Sequence, residues 1–294
     1  MRILLLGKRG QLGWELHRQL IHLGEVTALD QPEVDFASPE SLRPLIQEVE
    51  PTLIVNAAAY TSVDRAEKEP DLARQVNAVA PSVLAEEASK LGAGLIHYST
   101  DYIFDGSSDT AYREDDKPNP LNTYGRTKLE GERAVIQRGD RYWILRTSWV
   151  YSFRSPSFAH SVLTWARSKK QLEIVTDQVG SPTWCRTLAT ATTHALLRGN
   201  TDPLNRIAKH TGIYHVAGKG QCSRFEFAQE LLLSDPRREE QCLEELLPAK
   251  SEQFPSPAER PPYTPLNCDR FESTFGVSIP DWKVALRLAV EEYS

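Results

Sequence analysis

The chain has 294 residues, 40% hydrophobic and 25% charged, with a formal net charge of −6 at pH 7. That balance suits a globular protein with an ample core and gives no electrostatic support for a nucleic-acid partner. No apolar run approaches the ~18 residues a membrane span needs, and the opening run Arg2-Ile3-Leu4-Leu5-Leu6 is too short for a secretory signal. Cys185, Cys222, Cys242 and Cys268 form no C-x-x-C pair, which suits reduced thiols in a cytoplasmic setting. The histidines show no ligand spacing, so no metal site is expected from them.

Residues 2–6 read as a buried parallel strand. Gly7, Gly10 and Gly13 follow in G-x-x-G-x-x-G spacing, and Leu12, Leu16, Leu20 and Leu23 then recur at helical period until Gly24. A strand, a glycine turn and a helix in that order form a pyrophosphate site. The glycines admit the phosphates to the backbone, and the helix N-terminus offers free N–H groups. Val26–Leu29 reads as the second strand and ends at Asp30, about 20 residues past the turn, where an acid accepts bonds from the adenosine ribose. Ser38-Pro39 predicts a helix running to Glu50. Leu53–Asn56 is a third strand, and the small residues Ala57-Ala58-Ala59 after it leave room for a flat ligand. A helix is predicted from Asn77 to Gly92. Leu95–Thr100 is a fourth strand, with Thr100 facing the ligand crevice and Ser99 the opposite face.

Tyr124-Gly125-Arg126-Thr127-Lys128 opens an amphipathic helix on which positions i and i+4 share a face. Tyr124 and Lys128 should therefore point together. A cation beside a phenol lowers its pKa from about 10, and such a tyrosine can pass a proton to a carbonyl oxygen. Ile144–Tyr151 predicts a further strand. After it come a helix over 157–169, a strand at Leu172–Val175 and a helix over 186–197. A strand at Tyr214–Val216 and a Ser223–Glu226 capping box follow. The proline-rich stretch 251–265 reads as an ordered loop over a ligand or as a connector, and a last helix covers 282–293. The fold expected is α/β, a Rossmann-type doubly wound parallel sheet with a smaller, irregular α+β substrate lobe. Residues 1–151 would form the dinucleotide-binding domain, with later returns near 172–198 and 213–217. Residues 152–294 would form mainly the substrate lobe, interleaved with it.

The glycine turn, Asn56-Ala57-Ala58-Ala59, Ser99-Thr100-Asp101-Tyr102 and the Tyr124/Lys128 pair together resemble the extended short-chain dehydrogenase/reductases. The likeness extends to the nucleotide-sugar reductases among them. It is carried by residues 10–16, 98–104, 124–132 and 146–151, and by Asp177-Gln178, Pro182-Thr183, Arg260-Pro261 and Leu266-Asn267. It spans essentially the whole chain.

The resemblance implies reduction of the C4 keto group of dTDP-4-dehydro-L-rhamnose to dTDP-L-rhamnose by NADPH or NADH. It implies Thr100, Tyr124 and Lys128 as the catalytic set. Gly7, Gly10, Gln11, Leu12, Asp30, Asp35, Phe36, Ala59, Tyr60 and Thr61, with Tyr124 and Lys128, would line the cofactor. Thr100, Asp101, Tyr124, Trp149 and Arg260 would meet the nucleotide-sugar. Asp30 favours NADH, whereas Lys8 and Arg9 could accept a 2′-phosphate, so dual use is expected. Some relatives dimerise through a magnesium site that uses the residue matching Glu15 and a glutamate after the Pro-Thr turn. Arg186 stands at the second position, so magnesium is disfavoured and a monomer or metal-independent dimer is expected. Sugar-nucleotide dehydratases carry Asp then Glu after the catalytic Thr; here Asp101 is followed by Tyr102. The alternatives carried forward are another nucleotide-sugar ketoreductase and a non-catalytic NAD(P)-binding regulatory subunit of the methionine adenosyltransferase type.

Overall fold

A computed structural model describes residues 1–199 and 202–292. Six strands form one parallel sheet: β1 (Arg2–Leu6), β2 (Glu25–Leu29), β3 (Leu53–Asn56), β4 (Gly94–Thr100), β5 (Tyr142–Thr147) and β6 (Gly212–His215). Their spatial order is β6-β5-β4-β3-β1-β2. The inner strands are buried almost throughout because helices cover both faces. Strand alternation sends Ile3 and Leu5 into one core with Leu16, Leu20 and Leu188. It sends Leu4 and Leu6 into the other with Leu42, Ile46 and Leu84. The first face is covered by α1 (Gln11–Leu20) and α5 (Cys185–Leu197), the second by α2 (Leu42–Val49), α3 (Ala80–Leu91) and α4 (Thr123–Arg138). Strand order reverses between β1 and β3, which opens a crevice beyond their carboxyl ends. This is the doubly wound sheet expected.

A further core, away from the central sheet, joins Tyr151, Val162, Leu163, Phe227, Leu231, Trp282 and Leu286 under the helices Phe158–Ala166, Arg224–Ser234 and Trp282–Glu291. The strand at 172–175 belongs here. Gln171–Val175 pairs in parallel with Glu245–Ala249, and its residues alternate exposed and buried, unlike the inner strands of the central sheet. Within 172–198, therefore, only α5 returns to the central unit, together with β6 further on.

Other differences have local causes. The predicted strand 144–151 breaks after Thr147, because Trp149 adopts a left-handed φ of 43°. Val150–Tyr151 then pairs with Thr183–Trp184. The helix predicted from Asn77 begins earlier, at Pro70, and passes through a π turn at Gln75–Val79. Its close at Gly92, φ 64°, is as expected. Ser38 makes no side-chain cap, so a 3₁₀ turn over Pro39–Ser41 precedes α2. Tyr293 lies outside the described residues.

Candidate active site

The glycine turn is required by close approach. Gly7 has φ 87°, and a Cβ there would lie 2.7 Å from the Ala58 nitrogen. A Cβ on Gly13 would lie 1.9 Å from the Gly7 oxygen. The helix after the turn has no side-chain cap at Gly10, so its first N–H groups remain available to an anion. The turn opens on a cavity of about 790 Å³. Gly7, Gly10, Gln11, Leu12, Asp30, Phe36, Ala59, Tyr60, Thr61, Thr100, Asp101, Tyr124, Lys128 and Trp149 all line it.

Two expected residues do not. The carboxylate of Asp35 accepts from Ala37 N at 3.0 Å and Ser38 Oγ at 2.8 Å, and so is spent on its own turn. Arg260 pairs with Asp64 at 2.7 Å and lines a second cavity of about 770 Å³. Ser99, expected on the far face, lines the first cavity as well.

Helix α4 is set by Asn122, whose side chain accepts from Gly125 N at 2.8 Å. A Cβ on Gly125 would lie 2.1 Å from the Tyr102 carbonyl, so the helix start presses against the turn that follows Thr100. Tyr124 and Tyr102 meet edge to face, centroids 5.9 Å apart. Burial pushes the Tyr124 phenol up, and a hydrogen bond with Thr100 acts the other way. The expected lowering by Lys128 is absent. Its ammonium turns toward β4, donating to the Tyr98 carbonyl at 2.6 Å with His97 Nε2 at 3.4 Å. Burial pushes Lys128 down to about 8, and Glu132 opposes this. Thr100 Oγ1 donates to Asp101 at 3.0 Å. Asp101, 2% exposed, also accepts from Ser148 and Thr264, each at 2.7 Å. Burial nonetheless raises its pKa.

Sequence reasoning missed Arg224, noted only inside a capping box. Its guanidinium lies 3.5 Å from the Trp149 ring centroid, and burial lowers its pKa while Tyr102 and Asp101 oppose the shift. It lines the second cavity with Arg260, Gln178, Phe158, Trp165 and Phe254. A position just after an N-cap carries no signal of this kind. The indole of Trp149 rests on Gly180, where a Cβ would lie 2.5 Å from it. Positive φ at a tryptophan is strained, and here it aims the ring between the two cavities.

A family model described as the RmlD substrate binding domain matches residues 1–294. A dTDP-4-dehydrorhamnose reductase of Shigella flexneri is 39% identical over 298 residues, covering 99% of this chain and 98% of that protein. The chain belongs to the dTDP-4-dehydrorhamnose reductase family, NAD(P)H-dependent nucleotide-sugar reductases. Solved structures of the family agree. A Clostridium acetobutylicum dTDP-4-dehydrorhamnose reductase has a TM-score of 0.89 at 34% identity, covering 100% of this chain and 99% of that one. One from Bacillus anthracis, in complex with NADP, has a TM-score of 0.87 at 31% identity, with 99% of each chain covered.

Arg186, which follows the Pro-Thr turn in sequence, is held in ion pairs. It donates to both oxygens of Glu15, at 3.1 and 3.3 Å, and also pairs with Glu292. A guanidinium thus sits between two carboxylates drawn from α1 and the C-terminal end of the Trp282–Glu291 helix.

Proposed function

We propose that the protein reduces the C4 keto group of dTDP-4-dehydro-L-rhamnose to dTDP-L-rhamnose, with NADPH or NADH as reductant, in the cytoplasm. The observation that carries this reading is the convergence of Thr100, Tyr124 and Lys128 on the cavity that also holds the glycine turn. The relatives named above support the substrate, and the Bacillus anthracis complex supports NADP. Three buried polar atoms of the cavity wall, Gln11 Oε1, Ser99 Oγ and Thr147 Oγ1, have no hydrogen-bond partner among the described residues. A polar ligand such as a dinucleotide fits those atoms.

Gly7, Gly10, Gln11 and Leu12 would receive the pyrophosphate, Asp30 and Arg9 the adenosine end, and Ala59, Tyr60 and Thr61 the middle of the dinucleotide. When bound, the nicotinamide supplies the hydride for the sugar's C4. The Thr100 hydroxyl, turning its hydrogen from Asp101 to O4, would stabilise the charge growing there. Tyr124 would donate the proton to O4. Trp149 would meet the sugar, and Arg224 with Arg260 the diphosphate beyond it. Turnover of dTDP-4-dehydro-L-rhamnose followed by nicotinamide absorbance tests the reading. A wild-type protein that binds NADPH and never turns over would move the assignment to a regulatory role.

The amine of Lys128 is held near 8 against an ordinary 10.5, so it is charged below that pH and neutral above it. If the charge supports proton transfer, kcat/KM holds through neutrality and falls as pH rises through about 8. A profile flat to pH ~10 removes the charge from the mechanism.

Cofactor choice is balanced. Asp30 accepts from the backbone N–H groups of Arg9 and Gln31, each at 2.8 Å, and faces the cavity with Arg9. Lys8 is engaged by Glu33 at 2.8 Å. We expect kcat/KM for NADH and NADPH to differ by less than roughly a thousandfold, about 4 kcal/mol; a larger ratio contradicts dual use. The Arg186 pair occupies the oxygens that a divalent cation would need. Activity and oligomeric state are therefore expected to survive EDTA, as a monomer or a metal-independent dimer. Loss with EDTA and recovery with magnesium would overturn that.

A further inference from the structure

His97 is a fully buried ring on β4, and the chemistry above makes no use of it. Parallel pairing sets Asn56 of β3 beside it in register. Lys128 reaches it from α4, with Nζ 3.4 Å from His97 Nε2. The proton on the ring is located by its neighbours. Ala58 N–H can only donate, and it meets Asn56 Oδ1 at 3.2 Å. That orients the Asn56 amide with Nδ2 toward the ring, 3.0 Å from His97 Nδ1. An amide nitrogen donates, so Nδ1 is the accepting nitrogen. Burial holds His97 well below the usual imidazole range, and Lys128 acts the same way. The ring is therefore neutral, with its one proton on Nε2, facing Lys128. A neutral amine suits that neighbour. It has two N–H groups and a lone pair: one N–H goes to the Tyr98 carbonyl at 2.6 Å, and the lone pair can take Nε2–H. An ammonium has no lone pair, so a third N–H would meet the ring's own. Moving the ring proton to Nδ1 would only set it against Asn56 Nδ2, another donor.

We propose that His97 is a positioning residue that decides how firmly Lys128 holds its proton, with Asn56 locking the ring so that Nε2–H favours the neutral amine. The ring acts in the same direction as burial, which lowers Lys128 to about 8 while Glu132 opposes it. The other groups around the amine come from several elements. Tyr124 shares its helix, Asp101 follows β4 and Tyr60 follows β3, and all three line the same cavity. Arg146 on β5 is spent on Glu132 at 2.8 Å. The consequence is an alkaline limit on turnover close to neutrality, set by a side chain outside the reacting atoms. That limit rests on the reductase reading, whereas the ionisation itself does not.

The test uses the full chain, wild type and His97→Leu. Two-bond proton–nitrogen NMR correlations of labelled histidine read the ring tautomer, and the His97 signals are those lost in His97→Leu. The proton is expected on Nε2; a proton on Nδ1, or on both nitrogens, overturns the proposal. The Cε resonance of isotope-labelled lysine, assigned by its loss in Lys128→Ala, reads the Lys128 midpoint against pH. Leucine leaves the amine no better solvated, so burial alone predicts no rise in His97→Leu. Loss of the ring N–H is expected to raise the midpoint by at least about half a pH unit, roughly threefold in acidity. A smaller rise, none, or a fall overturns the proposal, and so does a purely structural effect that lowers Tm and leaves the midpoint in place. The alkaline limb of kcat/KM should move by the same amount as the midpoint. Should His97→Leu fail to fold, Asn56→Asp decides. Its carboxylate accepts from both Ala58 N–H and Nδ1–H, so the ring proton should move to Nδ1 and the Lys128 midpoint should rise; a midpoint that stays put overturns the proposal. If the wild type shows no turnover, the reductase reading fails, and the two NMR measurements still judge His97 by themselves.

Discussion

Tyr124→Phe is expected to lower kcat roughly 10²- to 10⁴-fold while NADPH affinity stays close to wild type. The change removes one oxygen. The ring and its edge contact with Tyr102 remain, as do the Asn122 cap and the close approach at Gly125 that seat the helix. The loss is therefore chemical. Burial keeps the phenol protonated through neutral pH, which is the form a proton donor needs. Lys128→Ala should behave differently and weaken cofactor binding together with turnover, because the buried amine lines the cavity. Steady-state kinetics with a parallel cofactor titration separates the two. Near-wild-type kcat in Tyr124→Phe removes Tyr124 from the mechanism.

Arg146→Met should destabilise the fold by roughly 3–5 kcal/mol. Arg146 and Glu132 form a two-point pair, Nε to Oε1 at 3.0 Å and Nη2 to Oε2 at 2.8 Å, with side chains 3% and 1% exposed. The guanidinium also donates to the Glu114 carbonyl at 3.2 Å. Removing the arginine leaves a carboxylate buried without its partner, one helical turn from Lys128. Urea unfolding measures the loss. Arg146→Met with Glu132→Leu should recover most of it, because apolar groups of similar volume need no partner. A cost below about 1 kcal/mol for Arg146→Met alone would show that the Glu132 charge is relieved by some other route.

Much of the central unit was legible because its signals are local. An apolar run followed by spaced glycines and a leucine period gives β1, the turn and α1, and the i, i+4 spacing gives the shared face of Tyr124 and Lys128. What sequence could not supply is where a long side chain goes once the face is chosen. Lys128 points at the Tyr98 carbonyl, a main-chain acceptor with no signature of its own. Asp35 looked like a ligand residue and instead caps its own turn. The break at Trp149 is a backbone event inside an apolar run that reads as continuous strand. The strand Glu245–Ala249 contains Pro248, which weakens its signal in the sequence, yet Pro is tolerated at a sheet edge. Arg224 came into view only when folding laid Gln178, Trp149 and the capping box side by side.

Gly180 carries a consequence for anyone wishing to redesign substrate scope. It is an inviting target for saturation libraries: small, on a short strand, and beside the proposed sugar site. The indole of Trp149 already fills the place a side chain would take, and that indole carries the Arg224 guanidinium on its face. Even alanine there would force the indole to shift, and the arginine stacked on it with it, so one methyl group would disturb a wall of the cavity. Diversity is better introduced at Phe158, Trp165 and Phe254 on the outer wall, with position 180 held as glycine.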